Sequence, residues 1–262
     1  MLLRLLILSL LLYLLVCVVI FLWQEQLIFF PERNQPGTRY VFGHPAEEVW
    51  LNAEGAQLHA LWFRVPDPQG VILYLHGNAG SLRTWGAVAP ELVAYQYDLL
   101  IIDYRGYGQS SGQIRREADV YADAEAAYAW ILERYREDQV VLYGRSLGSA
   151  PATRLAAEHQ PRMLILESPF YSLEALARRQ FPWLPPFLLK YPLNVSASFG
   201  QVSCPVVIIH GTEDEIVPFA DGERLSDRVT APLRFYPIAG GRHNNLATFP
   251  AYWDAITAAL VQ

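Results

Sequence analysis

The chain has 262 residues, a formal net charge of −6, 52% hydrophobic residues and 18% charged ones. That length suits one α/β domain with an appendage, and the acidic balance, without a basic patch interleaved with aromatics, excludes nucleic acid as a partner. Its two cysteines, Cys17 and Cys204, supply neither a metal site nor a disulfide framework.

The first element is apolar. From Leu5 to Trp23 only Ser9 and Tyr13 interrupt the hydrophobic run, and a helix of that length crosses the ~30 Å hydrocarbon core of a bilayer. Arg4 stands at one end and Trp23 at the other, where the interface favours Trp. A cleaved signal peptide is the rival reading, but its apolar region is usually only ~7–15 residues long and ends in small residues. Bulky Val18-Val19-Ile20-Phe21-Leu22-Trp23 occupies that place. A single-pass membrane anchor over residues 1–26 is therefore expected, followed by an α/β domain over residues 27–262. Cys17 follows Val16 and does not read as a lipid-attachment cysteine, and Leu27 to Pro31 extend the apolar surface beside the membrane.

Next, Val49 to Arg64 predicts two strands turning at Gly55, an antiparallel edge. A strand at 71–75, a helix within Leu82–Tyr95, a strand from Asp98 to Ile102 and a helix around Glu117–Tyr135 follow. The β-branched run Gln139 to Tyr143 predicts a buried strand, and Ala-rich Ser149 to His159 a helix. Strands at 163–166, 205–209 and 233–238 and helices near 220–228 and 248–260 complete the alternation. Strand alternating with helix gives a mostly parallel, doubly wound sheet, with ligands bound at the C-terminal ends of its strands. An insertion at about 170–203 falls where a cap over such a site belongs. Its run Phe181-Pro182-Trp183-Leu184-Pro185-Pro186-Phe187-Leu188-Leu189 fits two readings equally, a proline-broken core helix or an apolar lid. In the lid reading Phe181, Trp183 and Phe187 bind substrate.

Gly144-Arg145-Ser146-Leu147-Gly148 joins the 139–143 strand to the following helix. Strand, G-x-S-x-G, helix is the context of a nucleophile elbow. A serine needs a base within hydrogen-bond reach, and the base needs an orienting acid. In this context the chain order is Ser, then acid, then His. Of the six histidines, His44, His59 and His76 precede Ser146, His159 ends the next helix, and His210 closes a strand with no good loop acid before it except Glu167. His243, in the loop Gly240-Gly241-Arg242-His243-Asn244-Asn245, remains as base. Asp214, following the 205–209 strand, is the acid of choice, with Glu167 as its rival one strand earlier; Glu213 and Glu215 read as a solvated loop face. Two N–H donors must hold an oxyanion: Leu147, after the nucleophile, and Asn78 through its backbone, in His76-Gly77-Asn78-Ala79-Gly80. His76 reads as structural.

Together with Asp103-Tyr104-Arg105-Gly106-Tyr107-Gly108, His210-Gly211-Thr212-Glu213-Asp214 and His243-Asn244, these motifs resemble the α/β-hydrolase superfamily. More narrowly, they resemble the membrane-anchored abhydrolase domain-containing serine hydrolases and their bacterial relatives. The pieces occur in family order over roughly residues 27–260. The resemblance implies the triad Ser146, Asp214 and His243, and a structural role for Asp103 to Gly108. The expected activity is cleavage of carboxylic esters or thioesters through an acyl-enzyme. The expected partners are a lipid-like or acyl-protein substrate and the bilayer, and neither metal nor cofactor is called for. An amidase or peptidase on the same triad and a catalytically silent membrane scaffold are the alternatives.

Overall fold

The computed structural model describes residues 1–261. The apolar start forms α1 (Leu2–Leu22), a 21-residue helix, apolar on every face and long enough to cross a membrane. The helix breaks at Trp23 and resumes as α2 (Gln24–Ile28), so helical backbone runs past the expected boundary at residue 26. The chain then enters the short strand β1 (Phe30–Pro31).

The remaining strands are β2 (Ala46–Ala53), β3 (Ala56–Phe63), β4 (Val71–Leu75), β5 (Ala79–Gly80), β6 (Asp98–Ile102), β7 (Val140–Arg145), β8 (Met163–Glu167), β9 (Val206–Gly211) and β10 (Leu233–Ile238). Between them run α3 (Leu82–Trp85), α4 (Ala89–Val93), α5 (Glu117–Leu132), α6 (Ser149–Glu158), α7 (Leu173–Gln180), α8 (Val195–Phe199), α9 (Phe219–Ser226) and α10 (Pro250–Leu260). Eight strands form one sheet in the order β10-β9-β8-β7-β4-β6-β3-β2. Only the β2–β3 and β3–β6 pairs are antiparallel, the edge that Gly55 turns at φ +76°. β1 and β5 pair separately, in parallel.

β4 is apolar and buried at every position, and β6, β7, β8 and β9 are mainly so, because both faces are covered. Val71, Leu73 and Leu75 point to the layer holding Val120, Ala124 and Leu155. Ile72 and Tyr74 point to the opposite layer, with Leu92, Tyr252 and Ile256. Period-two alternation thus feeds two cores from one strand.

Register then sets the site. Leu75 lies beside Gly144, Gly144 beside Leu166, and Leu166 beside Ile208. The loops after β4, β7, β8 and β9 therefore leave the sheet at one edge. The segment over residues 170–203, after β8, rests on the N-terminal helices. The Tyr13 hydroxyl donates to the Trp183 carbonyl at 3.1 Å, the Gln24 amide donates to the Leu188 carbonyl at 2.8 Å, and Lys190 Nζ pairs with Glu25 at 3.1 Å.

Candidate active site

β7 delivers Ser146 onto a tight turn ahead of α6, with Ser146 at φ +48°. A non-glycine residue there carries roughly 1–3 kcal/mol of strain, which the surroundings must impose. They impose it through close packing. A Cβ on Gly144 would meet the Gly148 carbonyl oxygen at 2.6 Å and Ala152 Cβ at 2.7 Å. One on Gly148 would overlap the Leu75 carbonyl. Only hydrogen at both positions lets β7, α6 and the end of β4 meet. The Ser149 hydroxyl, at the start of α6, donates to the Ser146 carbonyl at 2.6 Å.

Three side chains from three loops converge. His243 Nε2 lies 3.1 Å from Ser146 Oγ, and His243 Nδ1 lies 2.8 Å from Asp214 Oδ2. With the carboxylate accepting from Nδ1–H, Nε2 is the acceptor facing the serine hydroxyl. Asp214 Oδ1 accepts from the backbone N–H groups of Ile216 and Val217 at 2.9 and 2.8 Å. Burial alone would raise the Asp214 pKa. Hydrogen bonds from His210 and His243, the charge of His243 and the Val217 N–H outweigh it and hold the carboxyl well below the usual carboxylate range. Ser146 is half-buried and His243 buried.

Leu75 pairs with Gly144, and Asn78 and Leu147 each lie three residues further along their own segments. The Asn78 side chain is committed to other partners: its Nδ2 donates to the Ile28 carbonyl and its Oδ1 accepts from the Tyr107 hydroxyl at 3.0 Å. The start of α6 adds a helix N-terminus on the same side, which favours negative charge.

Glu167, the rival acid, points into a different network. It is buried, accepts from the hydroxyls of Tyr143 and Tyr252 at 2.7 and 3.0 Å, and pairs with Arg145 Nε at 3.0 Å. His76 Nδ1 donates to the Gly77 carbonyl at 2.6 Å and the ring stacks on Trp85, with its other nitrogen toward Asp103. Asp103 also accepts from the Leu82 N–H at 3.0 Å. Its carboxylate fills the space a Cβ on Gly108 would need.

The cap aromatics take other partners than the triad. Trp183 packs edge-on against Tyr13 of α1 and against Phe181, and Phe187 is 83% exposed. The prolines of this segment prevent a continuous helix, and Trp183 meets α1 at Tyr13. Two further residues lie beside the three: His210, weighed as a base and set aside above, and Arg145. His210 Nε2 donates to the Val217 carbonyl at 3.0 Å and lies 3.4 Å from Asp214 Oδ2. Its signal was the four-residue spacing to Asp214 at a strand end. Arg145, the second residue of G-x-S-x-G, donates to the His243 carbonyl and to Asn244 Oδ1, both at 3.2 Å.

Comparison with known proteins agrees with this architecture. The profile of the α/β hydrolase fold family matches residues 70–197. An uncharacterised protein of Mycobacterium tuberculosis is 33% identical over 239 residues, covering 87% of this chain and 84% of the relative. Human alpha/beta hydrolase domain-containing protein 17B is 31% identical over 211 residues, 78% of this chain and 71% of that protein. Among solved structures, an esterase of Pyrococcus furiosus superposes with a TM-score of 0.72 at 20% identity, covering 89% of this chain and 96% of that one. With a matching family profile and relatives above 30% identity over more than two thirds of both chains, the chain belongs to the α/β-hydrolase family.

Proposed function

We propose that the protein is a membrane-anchored serine hydrolase that cleaves carboxylic esters or thioesters through an acyl-enzyme. One observation carries this reading: the Ser146–His243–Asp214 relay, with contacts of 3.1 and 2.8 Å, on a strained elbow. Ser146 Oγ attacks the acyl carbonyl carbon while its proton passes to His243 Nε2. The N–H groups of Leu147 and Asn78 hold the oxyanion as it forms. Collapse expels an alkoxide or thiolate, which takes the proton from the imidazolium. Water activated by the same imidazole then releases the carboxylic acid and restores Ser146. Asp214, ionised, orients the ring and stabilises its charged form.

The substrate in this reading carries an apolar acyl chain, as in a lipid or an S-acylated protein. Support comes from α1, long and apolar enough to cross a membrane, and from a cap that rests on α1 at Trp183 and on α2 at Leu188. Residues 1–26 then serve as the single-pass anchor and residues 27–262 as the catalytic domain. The test is fluorophosphonate labelling of detergent-solubilised protein with Ser146→Ala, Asp214→Asn and Glu167→Gln, followed by an acyl-ester length series. Labelling lost in Ser146→Ala, weakened in Asp214→Asn and kept in Glu167→Gln is expected, with turnover rising with acyl length. A well-folded wild type that fails to label overturns the hydrolase reading, and turnover falling with acyl length overturns the lipid-like substrate.

A further inference from the structure

A cavity of about 440 Å³ lies between the α1–α2 junction and the loop over residues 105–115. The relay described above does not use it. Leu22 and Trp23 line it from the helix junction, and Arg33, Arg105 and Arg115 from the domain. The three cations differ in state. Arg105 is buried and neutralised by Asp119 and Asp123, paired at 3.2 and 2.7 Å. Among the described residues Arg33 donates only to the carbonyls of Ser110 and Gly112, at 2.7 and 3.1 Å. The Arg115 side chain has no ion pair or hydrogen bond among the described residues, its backbone N–H alone reaching Asp119. The one carboxylate in the lining is Glu25, which Lys190 and the Tyr191 hydroxyl already hold at 3.1 and 2.7 Å.

Two guanidinium groups without a carboxylate therefore face one cavity in a chain of net charge −6. Guanidinium forks match phosphate oxygens in pairs. Leu22 and Trp23 end α1, where a spanning helix passes into the headgroup layer and Trp is favoured. We infer that this cavity binds the phosphate headgroup of an anionic membrane lipid, its phosphate between Arg33 and Arg115 and its acyl chains along Leu22. The inference rests on α1 lying in a bilayer. Tyr107, also in the lining, donates to Asn78 Oδ1 at 3.0 Å, so an occupied site borders the oxyanion loop.

The test measures Tm of the full-length protein in neutral detergent with short-chain phosphatidylglycerol, short-chain phosphatidylcholine or inorganic phosphate. Near saturation, phosphatidylglycerol should raise Tm by about 5 °C. Phosphatidylcholine and inorganic phosphate should raise it little, and Arg115→Gln should remove most of the rise. An equal rise with inorganic phosphate overturns the lipid source and assigns the site to a soluble anion. An undiminished rise in both Arg115→Gln and Arg33→Gln overturns the site. Flotation with neutral phosphatidylcholine vesicles separates the two readings. Protein that fails to float overturns the anchor, whereas protein that floats without a phosphatidylglycerol shift overturns only the lipid site.

Discussion

Arg145 Nε meets the Glu167 carboxylate at 3.0 Å, and the same guanidinium reaches the His243 carbonyl at 3.2 Å. The carboxylate one strand before Asp214 therefore anchors the residue that braces the His243 loop, in place of facing His243 itself. Burial opposes the charge on Arg145, but Glu167 outweighs it and keeps the guanidinium protonated. Glu167→Gln leaves that charge short of its partner, an unpairing that costs about 2–4 kcal/mol. The expected outcome is a Tm several degrees lower with Ser146 still labelled. Arg145→Gln, which also frees the His243 carbonyl, should lower kcat about tenfold with KM little changed. Steady-state kinetics beside thermal melts separate the two effects.

In the proposed mechanism Asp214, 2.8 Å from His243 Nδ1, holds the imidazole so that Nε2 accepts the Ser146 proton. Asp214→Asn should cut kcat by about 10⁴-fold, because Asn can donate to Nδ1 and so present the wrong tautomer to the serine. A stopped-flow burst with a nitrophenyl ester measures this directly, and a loss below tenfold would move the acid elsewhere.

The depressed Asp214 pKa also predicts the acid stability of the fold. The unfolded carboxyl titrates near ~3.9. The ionised native group therefore adds stability above that pH, and its contribution fades as pH falls toward the lower native value. Wild-type Tm should drop more steeply below about pH 4 than the Tm of Asp214→Asn, measured in parallel melts.

Asn78 ties the loop after β4 to the end of α2 through Ile28, and β5 in the same loop pairs with β1. Asn78→Ala keeps the backbone N–H and removes only those side-chain bonds. A fall in kcat of about tenfold is expected, with about 1–2 kcal/mol of stability lost. Tyr107→Phe should move both quantities in the same direction by less. Unchanged kcat in both variants would show that the loop holds its place without this tether.

Much of the fold was legible because its signals are local. Apolar runs at 71–75, 99–102 and 140–143 are short, bounded and alternate with helical stretches, so each strand can be read alone. The elbow is equally local, since Gly144 and Gly148 answer a steric demand of a single turn. Chain order then selects Ser146, Asp214 and His243, and the structure brings those three side chains together. Phe181, Trp183 and Phe187 were not legible in this way. Nine apolar or proline residues in a row state that the segment is apolar but not against what, and the structure turns Trp183 to Tyr13, 170 residues earlier in the chain.

By itself, then, the sequence determined the alternating sheet, the elbow, the order of the three relay residues and an N-terminal helix long and apolar enough to cross a membrane. Periodicity, glycine sterics and composition act over a few residues and are written into each segment. Only the tertiary structure decided that Arg145 binds Glu167, that His210 reaches toward Asp214, that the cap rests on α1, and that Arg33 and Arg115 share a cavity with Trp23. Those pairings depend on which strand ends stand side by side and which charges are left without a neighbour, quantities that exist only once the whole sheet has closed.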